Sequence, residues 1–388
     1  MTQYLGYDAQ TLTHLQAGWT AREIEQQPSC WHKTQCVVDE HRDEIDAFLR
    51  QALAAKDTRI IFTGAGTSAF AGRALAPLLA KHINRPVEAI ATTDLVSAPG
   101  QYFARDVPTL LVSFARSGNS PESVAALKVS SACLTQCFHL VLTCNPQGLL
   151  YQFCQTTQGA MALLMPPETD DRSLAMTSSF SSMLLAAILV FAGNEQYSKE
   201  IERFCNESAN WFKELNLEVM NNTKNSQYQR VIYLGSGGLQ GLAQESALKL
   251  LELTAGKIVA GFDTSLGFRH GPKSIVNSQT LIVIYVSNDP YTRQYDLDLL
   301  DEVRANNVAG KIIAIAAKTC PRLTAGDYLL VPGMTESTDL GLLFAYLMVA
   351  QSFAFHCSLA VQMTPDNPSP GGEINRVVQG VTIYPFIK

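Results

Sequence analysis

Charged residues are scarce in this sequence: they make up 16% of its 388 positions, against about 25% in typical soluble domains. Hydrophobic residues reach 47%, so we expect much buried surface, including subunit interfaces. A chain of this length predicts two domains. The net charge of −6 gives no basic footprint for nucleic acid or an anionic membrane. Any anionic ligand must therefore be held by local groups.

Other absences narrow the class of protein. The nine cysteines include no C-x-x-C pair, which is typical of reduced thiols in a cytoplasmic enzyme. No H-E-x-x-H or EF-hand spacing occurs, so we expect no metal site and no cofactor. The polar N-terminus lacks a signal-peptide pattern. The apolar stretches Met183–Ala192 and Leu340–Val361 are predicted to be buried helices, because the first is short and polar residues interrupt the second.

A polar, helix-prone segment precedes a repeated alternation of strands and helices. Residues 1–55 predict a helical extension with helices at Asp8–His14, Thr20–Gln27 and Cys30–Ala55, and Thr20 is a candidate cap. Short apolar strands then alternate with helices from Arg59, and again from Val231, which indicates βαβ units. We predict an α/β fold of two tandem doubly wound, flavodoxin-like parallel sheets at 56–195 and 215–362. The tail, 363–388, ends in apolar residues and is expected to pack back near the site.

The two halves share a short motif. Ile60–Gly66 reads I-I-F-T-G-A-G, and Val231–Gly237 reads V-I-Y-L-G-S-G. Each is a strand that enters a G-x-G loop before a helix. The match predicts that one domain has been duplicated.

Two loops of the first half have the parts of a phosphate cradle. Residues 116–120, R-S-G-N-S, place a guanidinium, hydroxyls and backbone N–H groups between a strand and a helix start. In residues 64–68, G-A-G-T-S, Gly66 allows close backbone approach, and Thr67 and Ser68 add hydroxyls. Ala69 replaces the third glycine of a dinucleotide-binding loop, and no P-loop lysine follows. An ordinary loop with a serine as N-cap is the alternative. In an open parallel sheet, ligands bind at this edge.

The second half contains candidate proton-transfer residues. Glu245, Lys249 and Glu252 share one face of a predicted helix. Spacing alone favours a solvated face with ion pairs, and the alternative is a carboxylate held by an ammonium and suited to moving a proton. His270, at the mouth of a Gly-rich loop, is suited to opening a sugar ring by passing one proton. The other histidines are interpreted as structural: His14, His32, His41, His82, His139 and His356.

Four motifs together resemble the SIS (sugar isomerase) family: G-A-G-T-S at 64–68, S-F-A-R-S-G-N-S at 113–120, E-S-A-L-K-L-L-E at 245–252 and F-R-H-G-P at 268–272. Their order within residues 40–388 is similar to that of two-domain members such as the isomerase half of glucosamine-6-phosphate synthase. The R-S-G-N-S-P-E-S loop and the tail N-P-S-P-G-G-E-I-N-R-V-V-Q-G-V most resemble the AgaS-type branch. That branch comprises galactosamine-6-phosphate deaminase/isomerases and tagatose-6-phosphate ketose/aldose isomerases.

The resemblance implies a role for each matched residue. The implied sugar-phosphate contacts are Ser68, Arg116, Ser117 and Ser120, with Thr67 as a hydroxyl contact to the sugar. Glu252 is implied to move a proton between carbons 1 and 2, with Lys249 beside it. His270 is implied to open the ring, from across a dimer interface.

Three departures from the synthase qualify this assignment. Ala115 replaces a serine, so one phosphate hydroxyl is missing, and a charge-assisted bond from Arg116 can offset it. Gln379 stands where the synthase has a lysine that forms a Schiff base, so covalent capture there is not expected. The sequence has no amidotransferase domain, so we do not expect it to draw ammonia from glutamine.

The expected function is the conversion of D-galactosamine 6-phosphate to D-tagatose 6-phosphate and ammonia by a cytoplasmic homodimer or higher oligomer with its active site at the subunit interface. The alternative within the enzyme class is ketose/aldose isomerisation without deamination. A sugar-phosphate sensor is the alternative of another class, although no helix-turn-helix is evident and sensing does not need Glu252 or His270. Thr177, Ser178 and Ser179 either line the sugar pocket or form an N-cap cluster.

Overall fold

The structure is a computed structural model that describes residues 3–193, 195–224 and 228–386. Its strands are β1 (Gln3–Tyr4), β2 (Tyr7–Asp8), β3 (Arg59–Thr63), β4 (Val87–Ala89), β5 (Thr109–Ala115), β6 (Cys137–Thr143), β7 (Ala160–Leu164), β8 (Arg230–Gly235), β9 (Val259–Asp263), β10 (Thr280–Tyr285), β11 (Lys311–Ala316) and β12 (Tyr328–Leu330).

The α-helices are α1 (Ala9–His14), α2 (Gly18–Glu25), α3 (Gln27–Glu40), α4 (Arg42–Ala52), α5 (Thr67–Ile83), α6 (Thr92–Ser97), α7 (Pro99–Tyr102), α8 (Pro121–Cys133), α9 (Leu149–Thr156), α10 (Ser178–Ala192), α11 (Glu195–Lys224), α12 (Gly238–Leu253), α13 (Thr292–Asn306), α14 (Pro321–Thr324) and α15 (Asp339–Ala360). Short 3₁₀ helices occupy Pro167–Thr169, Gly267–Arg269 and Pro272–Ile275.

Two five-stranded parallel sheets form the frame of the molecule. Their strand orders are β4-β3-β5-β6-β7 and β9-β8-β10-β11-β12, and every neighbouring pair is parallel. Numbered within each sheet, both orders are 2-1-3-4-5, the flavodoxin-like arrangement. The predicted fold class is confirmed, and its basis is visible in β5, an apolar run buried along its whole length because helices cover both faces of such sheets.

The described residues fall into two compact units. The first unit contains the first sheet and comprises described residues within Ser29–Asp171, Ser178–Ser198 and Gly371–Lys388. The second unit contains the second sheet and comprises those within Met1–Pro28, Arg172–Thr177 and Lys199–Pro370. Each unit is therefore assembled from separate stretches of chain, and the predicted domain limits stay a prediction.

The duplicated G-x-G loops have the same backbone geometry in the two units. Gly66 has φ 56° and ψ −129°, and Gly237 has φ 57° and ψ −129°. Residues other than glycine rarely adopt this backbone conformation. A Cβ on Gly64 would lie 2.6 Å from the backbone of Ser68, and one on Gly235 would lie 2.6 Å from the carbonyl oxygen of Leu239. Both glycines are thus required for the helix to start against its strand.

Helix α15 is the central helix of the second unit. It is the one described helix that is long and apolar enough to cross a membrane, yet 94% of its apolar window is buried inside the structure. Helix α10 is buried in the same way in the first unit. The prediction that both apolar stretches are core helices is confirmed.

Several local predictions for the N-terminal residues are wrong. Thr20 is no cap: it lies inside α2 and is buried, and its N–H donates to the Asp366 carboxylate over 2.8 Å. Because Asp366 also accepts from the N–H of Trp19 over 3.1 Å, a distant carboxylate caps this helix. The helix expected at Cys30–Ala55 is interrupted at His41, between α3 and α4. The small hairpin β1–β2 and the edge strand β9 were not predicted.

Candidate active site

The two predicted phosphate loops leave neighbouring strands at the same edge of the first sheet. Strands β3 and β5 pair in parallel, with Thr63 opposite Ser113, and they are strands one and three of the 2-1-3-4-5 order. Strand order reverses between them, and ligands of open parallel sheets bind at this switch point. The sheet topology therefore brings residues 64–68 and 116–120 to the expected edge.

The first loop leads into the N-terminus of α5. Thr67 and Ser68 are its first two residues and both are buried. The N–H of Thr92 donates to the carbonyl of Gly64 over 2.8 Å, which fixes the loop from the side. A helix N-terminus bearing hydroxyls and a glycine just before it suits an anion.

The second loop is held by its neighbour after β6. The side-chain amide of Asn145 donates to the carbonyl of Ser117 over 2.9 Å, and the N–H of Leu149 donates to the side-chain oxygen of Asn119 over 3.0 Å. Ser120 occupies the N-cap position of α8, but its side chain makes no capping hydrogen bond. The alternative interpretation of an ordinary loop is thus confirmed in the position of its serine but not in a capping hydrogen bond.

Arg116 is buried and contacts the C-terminal tail. Its Nη2 donates to the carbonyl oxygen of Arg376 over 3.0 Å. Arg376 is itself fixed, because its Nε donates to the carbonyl of Asp171 over 2.7 Å and its guanidinium pairs with Asp170. The tail thus meets the second loop at residue 376. Its apolar end does not pack down as expected, since Val381, Ile383, Tyr384 and Phe386 are 37–80% exposed.

Helix α12 of the second unit buries a row of charged side chains. The side chains of Glu245, Lys249 and Glu252 are 0%, 1% and 19% exposed. The ammonium of Lys249 lies 3.5 Å from Oε1 of Glu245 and donates to Oε2 of Glu252. The solvated-face interpretation is therefore wrong. Burying such charges contributes little to stability, so their presence favours a functional role.

His270 lies in a loop between two 3₁₀ helices of the second unit and is exposed. Phe268 anchors this loop in the core below the second sheet. The loop is also held before and after His270, because Arg269 and Lys273 both pair with Glu302 of α13. The loop is thus held in place and exposes the imidazole to solvent.

The second sheet has its own loop edge, but a carboxylate already occupies it. Oδ1 of Asp296 accepts from the hydroxyls of Ser236 and Ser265, each over 2.6 Å, and Oδ2 accepts from the N–H of Ser287 over 3.0 Å. These donors follow β8, β9 and β10. Burial raises the pKa of Asp296, and the hydrogen bonds oppose that rise.

Ser178 and Ser179 are both buried at the start of α10. The carboxylate of Asp171 accepts from the hydroxyls of both, and from the N–H of Ser179 over 2.9 Å. This arrangement favours the capping interpretation of these serines over the pocket-lining one.

Sequence reasoning named Glu245 without its burial, and it missed the carboxylates of Asp296 and Glu302. The burial of Glu245, the position of Asp296 and the double contact of Glu302 all depend on packing partners far along the chain. The sequence signal for Glu245 was its spacing of four residues from Lys249. The same spacing occurs on solvated helix faces, so it could not indicate burial. Among the described residues, no group of three or more His, Cys, Asp or Glu side chains is placed to hold a metal ion.

Two flavodoxin-like sheets with these loops define the class of protein: the chain belongs to the SIS domain family, which it matches over residues 52–192 and 226–360. It is 47% identical over 371 residues to the Escherichia coli protein named D-galactosamine-6-phosphate deaminase AgaS, covering 95% of this chain and 96% of that one. The solved structure of tagatose-6-phosphate ketose/aldose isomerase from Escherichia coli is 44% identical, with a TM-score of 0.89 and coverage of 95% and 96%. A solved structure from Clostridium novyi is 41% identical, with a TM-score of 0.95 and full coverage of both chains.

Proposed function

We propose that this chain is an enzyme that converts D-galactosamine 6-phosphate and water to D-tagatose 6-phosphate and ammonia. The observation that carries the proposal is the buried cluster of Glu245, Lys249 and Glu252. It occurs in a chain that resembles a protein named as such a deaminase along nearly its whole length. A buried ammonium between two carboxylates costs folding free energy and is suited to holding one carboxylate for proton transfer.

The two loops of the first unit bind the phosphate group in this proposal. Ser68, Ser117 and Ser120 offer hydroxyls, and the backbone after Gly66 offers N–H groups at a helix N-terminus. Arg116 adds a charge-assisted bond where Ala115 provides no hydroxyl. Thr67 contacts the sugar. The buried guanidinium and the fixed backbone of this loop support the assignment.

Proton transfers in the second unit carry out the reaction. His270 passes a proton between the ring oxygen and the anomeric hydroxyl, which opens the pyranose to the aldehyde. Glu252 takes the proton from carbon 2 while the aldehyde oxygen gains one, giving an enolamine. It then returns its proton to carbon 1 while the amino group loses one, giving a ketimine. Water adds to the ketimine carbon, and ammonia leaves. Lys249 fixes the Glu252 carboxylate and offsets charge that develops on the substrate.

The experiment that tests this proposal is a product assay on purified protein. Galactosamine 6-phosphate, glucosamine 6-phosphate and tagatose 6-phosphate are incubated separately, and ammonia and ketose are measured. We expect equimolar ammonia and tagatose 6-phosphate from the first. Glu252→Gln should lose several orders of magnitude in kcat while still binding sugar phosphate. Glu44→Gln, at an exposed glutamate, is the matched control. Near-normal turnover by Glu252→Gln would refute the assignment.

Ketose/aldose isomerisation without deamination is the second candidate. The observation that favours it is the 44% identity to a structure named tagatose-6-phosphate ketose/aldose isomerase. The same residues serve both reactions, because each moves a proton between carbons 1 and 2. Aldose formation from tagatose 6-phosphate in the absence of ammonia, with no ammonia from the amino sugar, would favour this candidate and place the enzyme among the isomerases.

We also propose that the active form is a homodimer with the site at the subunit interface, as the family resemblance implies. In that arrangement His270 and Glu252 of one site come from different subunits. Mixing inactive His270→Ala and Glu252→Gln proteins and exchanging their subunits should then restore activity, because each mixed dimer holds one intact site. No recovery in a verified mixed dimer would contradict this arrangement.

A further inference from the structure

Helix α13 holds the loop that carries His270 at several points. The hydroxyl of Ser265 donates to Asp296 over 2.6 Å. Further along, Nε of Arg269 donates to Oε2 of Glu302 over 2.6 Å, and Nζ of Lys273 donates to Oε1 of the same carboxylate over 2.5 Å. One glutamate therefore binds the residue before the histidine and the residue three positions after it.

The backbone at this point needs such a restraint. The 3₁₀ helices Gly267–Arg269 and Pro272–Ile275 are separated only by His270 and Gly271, and Gly271 has φ 116°. A glycine in this region rotates with little steric resistance, so two short helices joined there can move relative to each other. Glu302 contacts both sides of the joint and leaves the imidazole free to face solvent.

The clamp that Glu302 forms with Arg269 and Lys273 fixes the geometry of the loop and adds little stability. The side chain of Glu302 is 32% exposed, and those of Arg269 and Lys273 are 25% and 34% exposed. Ion pairs with this exposure contribute at most about 1 kcal/mol each. Hydrogen bonds from both partners lower the pKa of Glu302, and the bond from Lys273 has the larger effect. The carboxylate therefore stays charged at neutral pH and holds both cations.

We propose that Glu302 is a positioning residue for His270: its carboxylate ties Arg269 to Lys273 and thereby fixes the imidazole for ring opening. The proposal rests on the proposed function, which assigns ring opening to His270. A histidine that is misplaced by one ångström transfers its proton poorly. Phosphate binding is assigned to the first unit in the proposed function, so we expect it to be unaffected.

Glu302→Gln tests the proposal against a matched control on the same helix. The control is Asp301→Asn, which removes an ion pair of similar geometry, Nε of Arg322 to Oδ2 of Asp301 at 2.7 Å, without touching the His270 loop. We expect Glu302→Gln to lower kcat by about 10- to 100-fold with little change in KM or melting temperature. Asp301→Asn should match the wild type. A kcat for Glu302→Gln equal to that of Asp301→Asn overturns the proposal.

A spectroscopic measurement separates the clamp from the proposed reaction. In protein labelled at histidine Cε1, the NMR signal that disappears in His270→Ala belongs to His270. Glu302→Gln should shift or broaden that signal, and Asp301→Asn should leave it unchanged. An unaltered signal in Glu302→Gln overturns the clamp even if the reaction is as proposed. An altered signal in a protein that makes no ammonia supports the clamp while the proposed function fails.

A second variant covers the case in which Glu302→Gln does not fold. Lys273→Gln removes one arm of the clamp and keeps the Arg269 pair. It should give a smaller loss of kcat and a smaller change of the same signal. No change in either measurement would overturn the proposal.

Discussion

Replacing Lys249 by methionine is the sharpest test of the buried cluster on α12. The ammonium is 1% exposed and lies 3.5 Å from a carboxylate oxygen of Glu245, which is 0% exposed. Removing one partner of a buried ion pair costs about 3–5 kcal/mol, because it leaves an uncompensated charge in the interior. Glu252 is 19% exposed, so the part of this cost that comes from its unpaired charge should lie near the lower end of the range of about 3–5 kcal/mol.

The loss can be measured by urea unfolding followed by circular dichroism, and by the melting temperature. A change of 3 kcal/mol in a domain of this size corresponds to roughly 6–12 °C. The matched control is Arg322→Met, whose guanidinium is 39% exposed and pairs with two exposed aspartates, and which should cost about 1 kcal/mol or less. The double variant Lys249→Met with Glu245→Gln should recover part of the stability. A Lys249→Met protein as stable as Arg322→Met would refute the reasoning.

Three further predictions concern the first unit, one of them in comparison with the second. Arg116→Ala should raise KM for phosphorylated sugar well beyond its effect on kcat, and an unchanged KM would return the loop to a structural role. Gly66→Ala and Gly237→Ala should each cost roughly 1–3 kcal/mol of stability in urea unfolding, because both backbones are strained for alanine. Only Gly66→Ala should weaken substrate binding, and equal effects of both variants on KM would contradict this. Burial lowers the pKa of His139 to about 4, so its contribution to stability is complete above pH 6.5 and is lost as pH falls toward 4. His139→Leu should flatten the pH dependence of the free energy of unfolding in that window, and an unaltered slope would contradict this assignment.

The fold was largely predictable because apolar runs such as β5 are buried on both faces and leave little choice of element. Strand β9 was missed since it contains Gly261 and lies at the sheet edge, where its residues are only partly buried. The helix break at His41 has no proline or glycine to mark it.

The candidate site was predictable as a set of residue types and positions, but not as an environment. The spacing of Glu245 and Lys249 is the same on a solvated helix face and on a buried one, and only packing against α15 and the second sheet decides between them. The contact of Arg116 with residue 376 joins positions 260 apart in sequence, which no local pattern encodes.

In the proposed function, the carboxylate of Asp296 makes the loop edges of the two sheets depend differently on metabolite concentration. In the second unit, the groups that would bind a diffusing anion are bound to a side chain of the same chain, whose effective concentration never changes. In the proposed function, the loops of the first unit bind sugar phosphate, and that binding adds to stability by mass action. Sugar phosphate should therefore stabilise the first unit as its concentration rises, while the loop edge of the second sheet keeps its carboxylate at every concentration. In this proposal, the loop edge of one sheet is a constant part of the protein and that of the other responds to the metabolite.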